Sequence, residues 1–112
     1  MALVTEIEMM QAELASWRKD IHAHPELGFE EYRTADFVAA KLESFGVQVH
    51  RGIGKTGLVG VLREGNETRS IGLRADMDAS PIVEQNTFAH CSTRHGTMHA
   101  VSYTHLRAHE TF

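Results

Sequence analysis

The sequence predicts an α/β fold in which two helices precede three short strands. Apolar residues recur at steps of three and four in two early segments, which is the spacing of one helix face. After Gly46 the apolar and polar residues alternate, which is the period of a strand. The change of period at one glycine separates the helical part from the strands.

The first helix is expected to begin near Thr5, because Thr5 and Glu8 have the spacing of a reciprocal capping box. It must end before Pro25, whose ring disfavours helical geometry at the preceding residue. Residues 21–29 are therefore expected to form a turn into the second helix. The apolar face of the first helix consists of Ile7, Met10, Leu14, Trp17 and Ile21.

The second helix is expected to end at Gly46, which can adopt the left-handed conformation of a helix stop. Three strands follow in the prediction, at 47–53, 57–64 and 70–78, with polar or glycine-containing turns between them. Residues 81–100 show neither period and are expected to be mostly irregular. The apolar face of this helix consists of Ala35, Val38, Leu42 and Phe45.

The amino-acid composition indicates what kind of protein this is and which partners it is expected to have. The chain has 112 residues, a formal net charge of −4 and 42% hydrophobic residues, which suits one small globular domain and argues against nucleic acid or an anionic membrane as partner. No basic segment followed by an apolar core opens the chain, so we expect a cytoplasmic protein. Cys91 is the only cysteine, which excludes an intrachain disulfide.

Two features could hold a metal. His105 and His109 stand four residues apart, the spacing that places two imidazoles on one helix face. One interpretation is therefore a small α+β binding module with a structural metal held by C-terminal histidines. Asp76 and Asp78 lie at the end of the third expected strand, next to the sheet edge where ligands bind in open α/β folds. The alternative for this pair is that Arg74 pairs with one carboxylate and Asp78 begins a turn.

Four blocks in order, from Trp17 to Ala100, resemble a known family: WRKDIHAHPELGFEEYRTADFV, GIGKTGLVGVL, LRADMDASPIVEQ and GTMHA. They are similar to the N-terminal part of the metal-dependent amidohydrolases that include hippurate hydrolase, N-acyl-amino-acid amidohydrolases and indole-acetyl-amino-acid hydrolases, relatives of aminoacylases and carboxypeptidases. The resemblance implies that residues 1–100 are the incomplete N-terminal part of a three-layer, zinc-peptidase-like catalytic domain.

The resemblance also implies a chemistry for the parent protein. Such enzymes cleave the amide bond of N-acyl amino acids with two divalent metals, Mn or Zn, and the parent is expected to form a homodimer or a larger assembly. Asp76 matches an aspartate beside the metal centre, and Asp78 matches the second acid of that motif. Ser80 stands where the family usually has leucine, which affects local packing more than chemistry.

Another block of the resemblance is interpreted as structural. His22, Pro25 and Glu26 match a family motif that we interpret as a turn without catalytic residues. His90, His95 and His99 follow later in the chain, and no expected helix or strand places them together. We therefore expect these three histidines to be surface or supporting residues that need no metal.

The chain departs from the family after Ala100, where the family's ligand cysteine and histidine would follow. Residues 101–111 instead resemble, residue for residue, one reading frame of a transposon adapter used to prepare sequencing libraries. Residues 101–112 are therefore expected to be non-native, and the pair His105 and His109 to have no evolved role. Without the ligands and the later general base, the chain as written is expected to be inactive.

Overall fold

The computed structural model describes residues 2–66 and 68–100. The predicted order of helices followed by strands is confirmed. The adapter-like residues 101–112, with His105 and His109, lie outside the described residues. The helices and strands are α1 (Ala2–Met9), α2 (Gln11–Ala23), α3 (Tyr32–Ser44), β1 (Gln48–Ile53) and β2 (Gly57–Val61).

The chain divides into two compact units. Of the described residues, the first unit contains 2–25 and 79–100, and the second contains 26–66 and 68–78. The first unit therefore combines α1 and α2 with a late irregular segment, while the second contains α3 and the hairpin. No helix within the described ranges is both long and apolar enough to cross a membrane.

The first expected helix is present as two helices. It begins at Ala2, so the prediction of a capped start at Thr5 is wrong. Alanine and leucine are strong helix formers, and Ala2 and Leu3 extend the helix toward the N-terminus. Met10 separates α1 from α2. The predicted end before Pro25 is confirmed, because α2 ends at Ala23.

A buried glutamate explains where α3 begins. Glu26 is 5% exposed, and its carboxylate accepts hydrogen bonds from the backbone N–H groups of Arg33 and Thr34, at 2.9 and 2.7 Å. It also accepts the Thr34 hydroxyl at 2.7 Å. The first N–H groups of a helix have no partner within the helix, so Glu26 caps α3 from outside. This supports the structural interpretation of the turn.

The far end of α3 follows the sequence prediction. Phe45 donates its N–H to the carbonyls of Lys41 and Leu42, and Gly46 has φ of 80°, the left-handed conformation expected of a helix stop. The buried residues of α3 are Thr34, Ala35 and Ala39. The apolar face is therefore narrower than the stripe that the sequence predicts, since Phe45 is exposed.

The two strands form an antiparallel hairpin. The register shifts between Arg51 and Ile53, and the connecting turn places Lys55 at φ of 82°. Thr56 in this turn is buried, and its hydroxyl donates a hydrogen bond to Glu31 Oε1 at 2.8 Å. The predicted GKTG turn is confirmed, and a buried side-chain contact links it to the residue before α3.

The expected third strand is not formed. Residues 69–79 have no regular secondary structure, and the sheet of the described residues contains β1 and β2 alone. Ile71 is 91% exposed and Leu73 is 95% exposed. A strand requires a hydrogen-bonded neighbour, and no described segment pairs with this one. The prediction of a third strand is therefore wrong for the described residues, because alternation of apolar residues does not reveal whether a pairing strand is present.

Candidate functional site

Asp76 and Asp78 lie in the second unit, in the segment without regular structure. Arg74 Nη2 is 3.1 Å from Asp76 Oδ1, so the expected pairing of Arg74 with one carboxylate is confirmed. The Arg74 side chain is 86% exposed and that of Asp76 is 31% exposed. Asp78 begins no turn, contrary to that same alternative.

The described residues do not by themselves form a metal centre. Residues 2–66 and 68–100 contain no group of three or more His, Cys, Asp or Glu side chains that could hold an ion. Asp76 and Asp78 together offer two carboxylates, whereas zinc sites in proteins use at least three protein ligands. A dinuclear centre would therefore need most of its ligands from residues outside those described.

A second group of polar residues converges on Glu84 in the first unit. The His22 Nε2 atom lies 3.0 Å from Glu84 Oε1 and 3.2 Å from Oε2. The backbone N–H of Ser92 donates to Oε1 at 2.7 Å, and Asn86 Nδ2 donates to Oε2 at 2.9 Å. The Glu84 side chain is 5% exposed. One carboxylate thus joins the last turn of α2 to two points of the irregular segment.

These contacts also decide the protonation of Glu84. Loss of water around the carboxylate raises its pKa, but the hydrogen bonds from Ser92, Asn86 and His22 and the attraction of His22 outweigh this effect. The pKa of Glu84 is therefore lowered from its usual value. Glu84 is an anion at neutral pH and acts as an acceptor for all its partners.

Aromatic rings surround His22. Its ring centroid lies 6.0 Å from those of Phe88 and His90, and 6.5 Å from that of His99. Phe88 and His90 are stacked at 3.9 Å with an interplanar angle of 6°. The irregular segment, rather than a helix or strand, places His90 and His99 near the His22 ring. His95 is exposed and takes no part in these ring contacts.

Burial lowers the pKa of His90, and the nearby Lys19, His22 and Arg18 side chains lower it further, against the opposing effect of Glu84. The neutral ring is therefore favoured in the folded first unit. A neutral imidazole suits the close parallel stack with Phe88, because an uncharged ring loses little by contact with an apolar one.

Comparison with known proteins identifies relatives of the chain. The chain is 48% identical to the hippurate hydrolase of Campylobacter jejuni over 103 residues, which are 92% of this chain and 27% of that protein. It is 41% identical to the N-acyl-L-amino acid amidohydrolase of Geobacillus stearothermophilus over 98 residues, 87% of this chain and 26% of that one. The chain is a homologue of these amidohydrolases.

The fold comparison agrees. The Bacillus subtilis YXEP protein, a dinuclear metal binding peptidase from the M20 family, superposes with a TM-score of 0.76 at 33% identity, over 82% of this chain and 26% of that one. The α/β fold of this amidohydrolase homologue therefore matches part of an M20 peptidase. The chain spans about a quarter of the length of the relatives it matches. No family model matches the chain.

Sequence reasoning missed Glu84 in this amidohydrolase homologue. The residue lies within the block LRADMDASPIVEQ that carries the resemblance, yet His22 and Glu84 are 62 positions apart and no periodicity connects them. A single acid in an irregular segment gives no signal of burial. Cys91, the only cysteine, is half-buried with a free thiol.

Proposed function

We propose that the protein to which this chain belongs hydrolyses the amide bond of N-acyl amino acids, with hippurate-like compounds as substrates. The observation that carries the proposal is the 48% identity to a hippurate hydrolase over 92% of the chain. Because the chain spans 27% of that relative, the activity is proposed for the whole protein. The homology favours this hydrolase over a small module with a structural metal.

The proposal includes two divalent metals, Mn or Zn, supported by similarity to a dinuclear metal binding peptidase. Asp76 is proposed to support the metal centre as a neighbouring carboxylate, and Asp78 to act as the second acid of that site. The ion pair between the solvent-exposed Arg74 and Asp76 is weak, because water screens exposed charges. Asp76 can therefore exchange this partner for another at low cost.

The remaining features of the proposal concern the whole protein. Residues 1–100 are proposed to be the N-terminal part of its catalytic domain, and residues 101–112 to derive from a sequencing adapter. We also propose a cytoplasmic enzyme that forms a homodimer or a larger assembly and acts on small molecules, without nucleic-acid or membrane partners. The net charge of −4 is consistent with that choice of partners.

The experiment is an assay of the full-length gene product. The protein is expressed from the complete gene, freed of metal with a chelator, and assayed for release of glycine from hippurate with Mn²⁺ or Zn²⁺ restored. The proposal predicts metal-dependent hydrolysis. Asp76→Asn is expected to weaken metal binding or activity by about 10- to 100-fold, as loss of a supporting carboxylate does, whereas Glu30→Gln serves as an exposed control. Hydrolysis absent from a folded, metal-loaded protein would overturn the proposal.

A further inference from the structure

The proposed reaction assigns no role to Glu84, a buried carboxylate of the first unit that three donors surround. Glu84 receives the Ser92 N–H at 2.7 Å, the Asn86 side-chain amide at 2.9 Å and the His22 imidazole at 3.0 Å. Burying a carboxylate is costly unless hydrogen bonds compensate for lost water, and here three donors do so. Because donors occupy both oxygens of the Glu84 carboxylate, its side chain is held in one geometry.

The contact with Glu84 fixes the proton position on His22. An ionised carboxylate can only accept hydrogen bonds, and His22 Nε2 lies within hydrogen-bond distance of both its oxygens. Nε2 must therefore carry the proton, and in the neutral ring Nδ1 is the basic nitrogen. A carboxylate that orients an imidazole in this way is a common device for setting the tautomer of a functional histidine.

The loop that contains Glu84 depends on side-chain contacts of this kind. Residues 81–97 have no regular strand or helix, and their ends meet through two backbone hydrogen bonds between Ser80 and Met98, at 2.8 and 2.9 Å. Farther along the loop, the Thr93 N–H and hydroxyl donate to the carbonyl of Ala23 at 2.9 and 2.7 Å. Glu84 adds a second contact between the loop interior and the last turn of α2, through His22.

We propose that Glu84 is a positioning residue whose carboxylate holds His22 in the Nε2–H tautomer and fastens the loop of residues 81–97 to the end of α2. Residues 98–100, which follow the loop, then begin at a fixed position. The consequence for catalysis in the whole protein rests on the proposed function. The positioning itself rests on the geometry of the first unit alone.

The test uses the ¹⁵N-labelled 112-residue chain and three variants. Long-range ¹H–¹⁵N spectra report which nitrogen of His22 is protonated, and amide hydrogen exchange reports the Ser92 N–H. In the wild-type chain we expect the Nε2–H tautomer and a protected Ser92 amide. In Glu84→Ala we expect mixed tautomers and Ser92 exchange faster by about tenfold, the effect of losing a charge-assisted hydrogen bond.

Two further variants make the result specific. Glu84→Gln keeps an oxygen that can accept from both His22 and Ser92, so it should restore the tautomer and most of the protection. Gln85→Ala removes an exposed neighbour and should change neither. The proposal is overturned if wild-type His22 exchanges between tautomers, if its Ser92 amide is unprotected, or if Glu84→Ala leaves both unchanged. Because no substrate is used, failure here is distinguishable from failure of the hydrolase assay.

Discussion

Glu26 accepts two hydrogen bonds from Thr34, one from its backbone N–H and one from its hydroxyl, each at 2.7 Å. Both residues are buried, with Thr34 1% exposed. Eight positions separate them, so Glu26, in the segment before α3, is held to the third residue of that helix. The sequence motif that includes Glu26 is therefore explained by helix capping within the second unit.

Glu26→Ala is expected to destabilise the second unit by about 2 kcal/mol, because Thr34 and the first N–H groups of α3 lose a charged acceptor. Urea unfolding followed by far-ultraviolet circular dichroism measures the change. Glu30→Ala is the matched control, since Glu30 is exposed and its backbone N–H and carbonyl form hydrogen bonds that the substitution keeps. A loss below about 0.5 kcal/mol for Glu26→Ala would show that capping from Glu26 is not needed.

Lys55→Gly is expected to stabilise the hairpin. Lys55 has φ of 82°, a left-handed conformation that a β-carbon disfavours and glycine adopts freely. The gain should be about 0.5 kcal/mol, because greater freedom of the unfolded glycine offsets part of the relief. Lys41→Gly in α3 should instead cost about 1 kcal/mol. Equal destabilisation by both substitutions in urea unfolding would contradict the strained turn.

Acidification is expected to destabilise the first unit. The pKa values of Glu84 and His90 are both lowered in the folded chain, from the usual 4.5 and 6.5, so the unfolded state binds more protons below these values. The stability due to neutral His90 is lost as the pH falls below 6.5. The stability due to ionised Glu84 is present above 4.5 and is lost as the pH falls through its lowered pKa.

Fluorescence of Trp17, the only tryptophan, reports this unfolding because it lies in α2. The urea concentration at the midpoint of unfolding should decrease as the pH is lowered from about 7 to about 4. His90→Phe should flatten the upper part of the profile while it keeps the stack on Phe88, and Glu84→Gln should flatten the lower part. Urea midpoints that increase as the pH is lowered would contradict the conclusion that folding lowers the pKa of both Glu84 and His90.

The 112-residue chain is expected not to hydrolyse hippurate with added Mn²⁺ or Zn²⁺. Its described residues contain no cluster that could hold a metal, and water activation in such hydrolases requires one. Glycine release by the purified chain is compared with release by the full-length protein prepared in parallel. Metal-dependent turnover by the chain alone would contradict this account.

Local signals predicted the helices and the hairpin well. The two periods, Pro25 and Gly46 determine conformation within a few neighbouring residues, so α2, α3 and the GKTG turn could be anticipated. The third strand could not, because Ile71 and Leu73 require a pairing neighbour that local alternation does not reveal. The capping box at Thr5 failed because favourable helix formers precede it.

The site was harder to predict than the fold. Asp76 could be singled out because it follows an apolar segment and belongs to a recognisable block, and its role stays a prediction. The group around Glu84 depends on contacts between residues 62 positions apart and on an irregular loop with no period. Such long-range side-chain contacts become visible only when the folded geometry is known.

The central proposal is that this chain, a homologue of amidohydrolases, comes from such an enzyme whose natural sequence differs after Ala100. The most direct test resequences the source DNA across the codons for Gly96 to Phe112 by a primer-based method that uses no transposon adapter. The account predicts that Met-His-Ala is followed by Cys-Gly-His-Asp, as the family resemblance implies. If Val-Ser-Tyr-Thr-His-Leu-Arg-Ala-His returns instead, the tail is genuine, the account is contradicted, and His105 with His109 must be tested for metal.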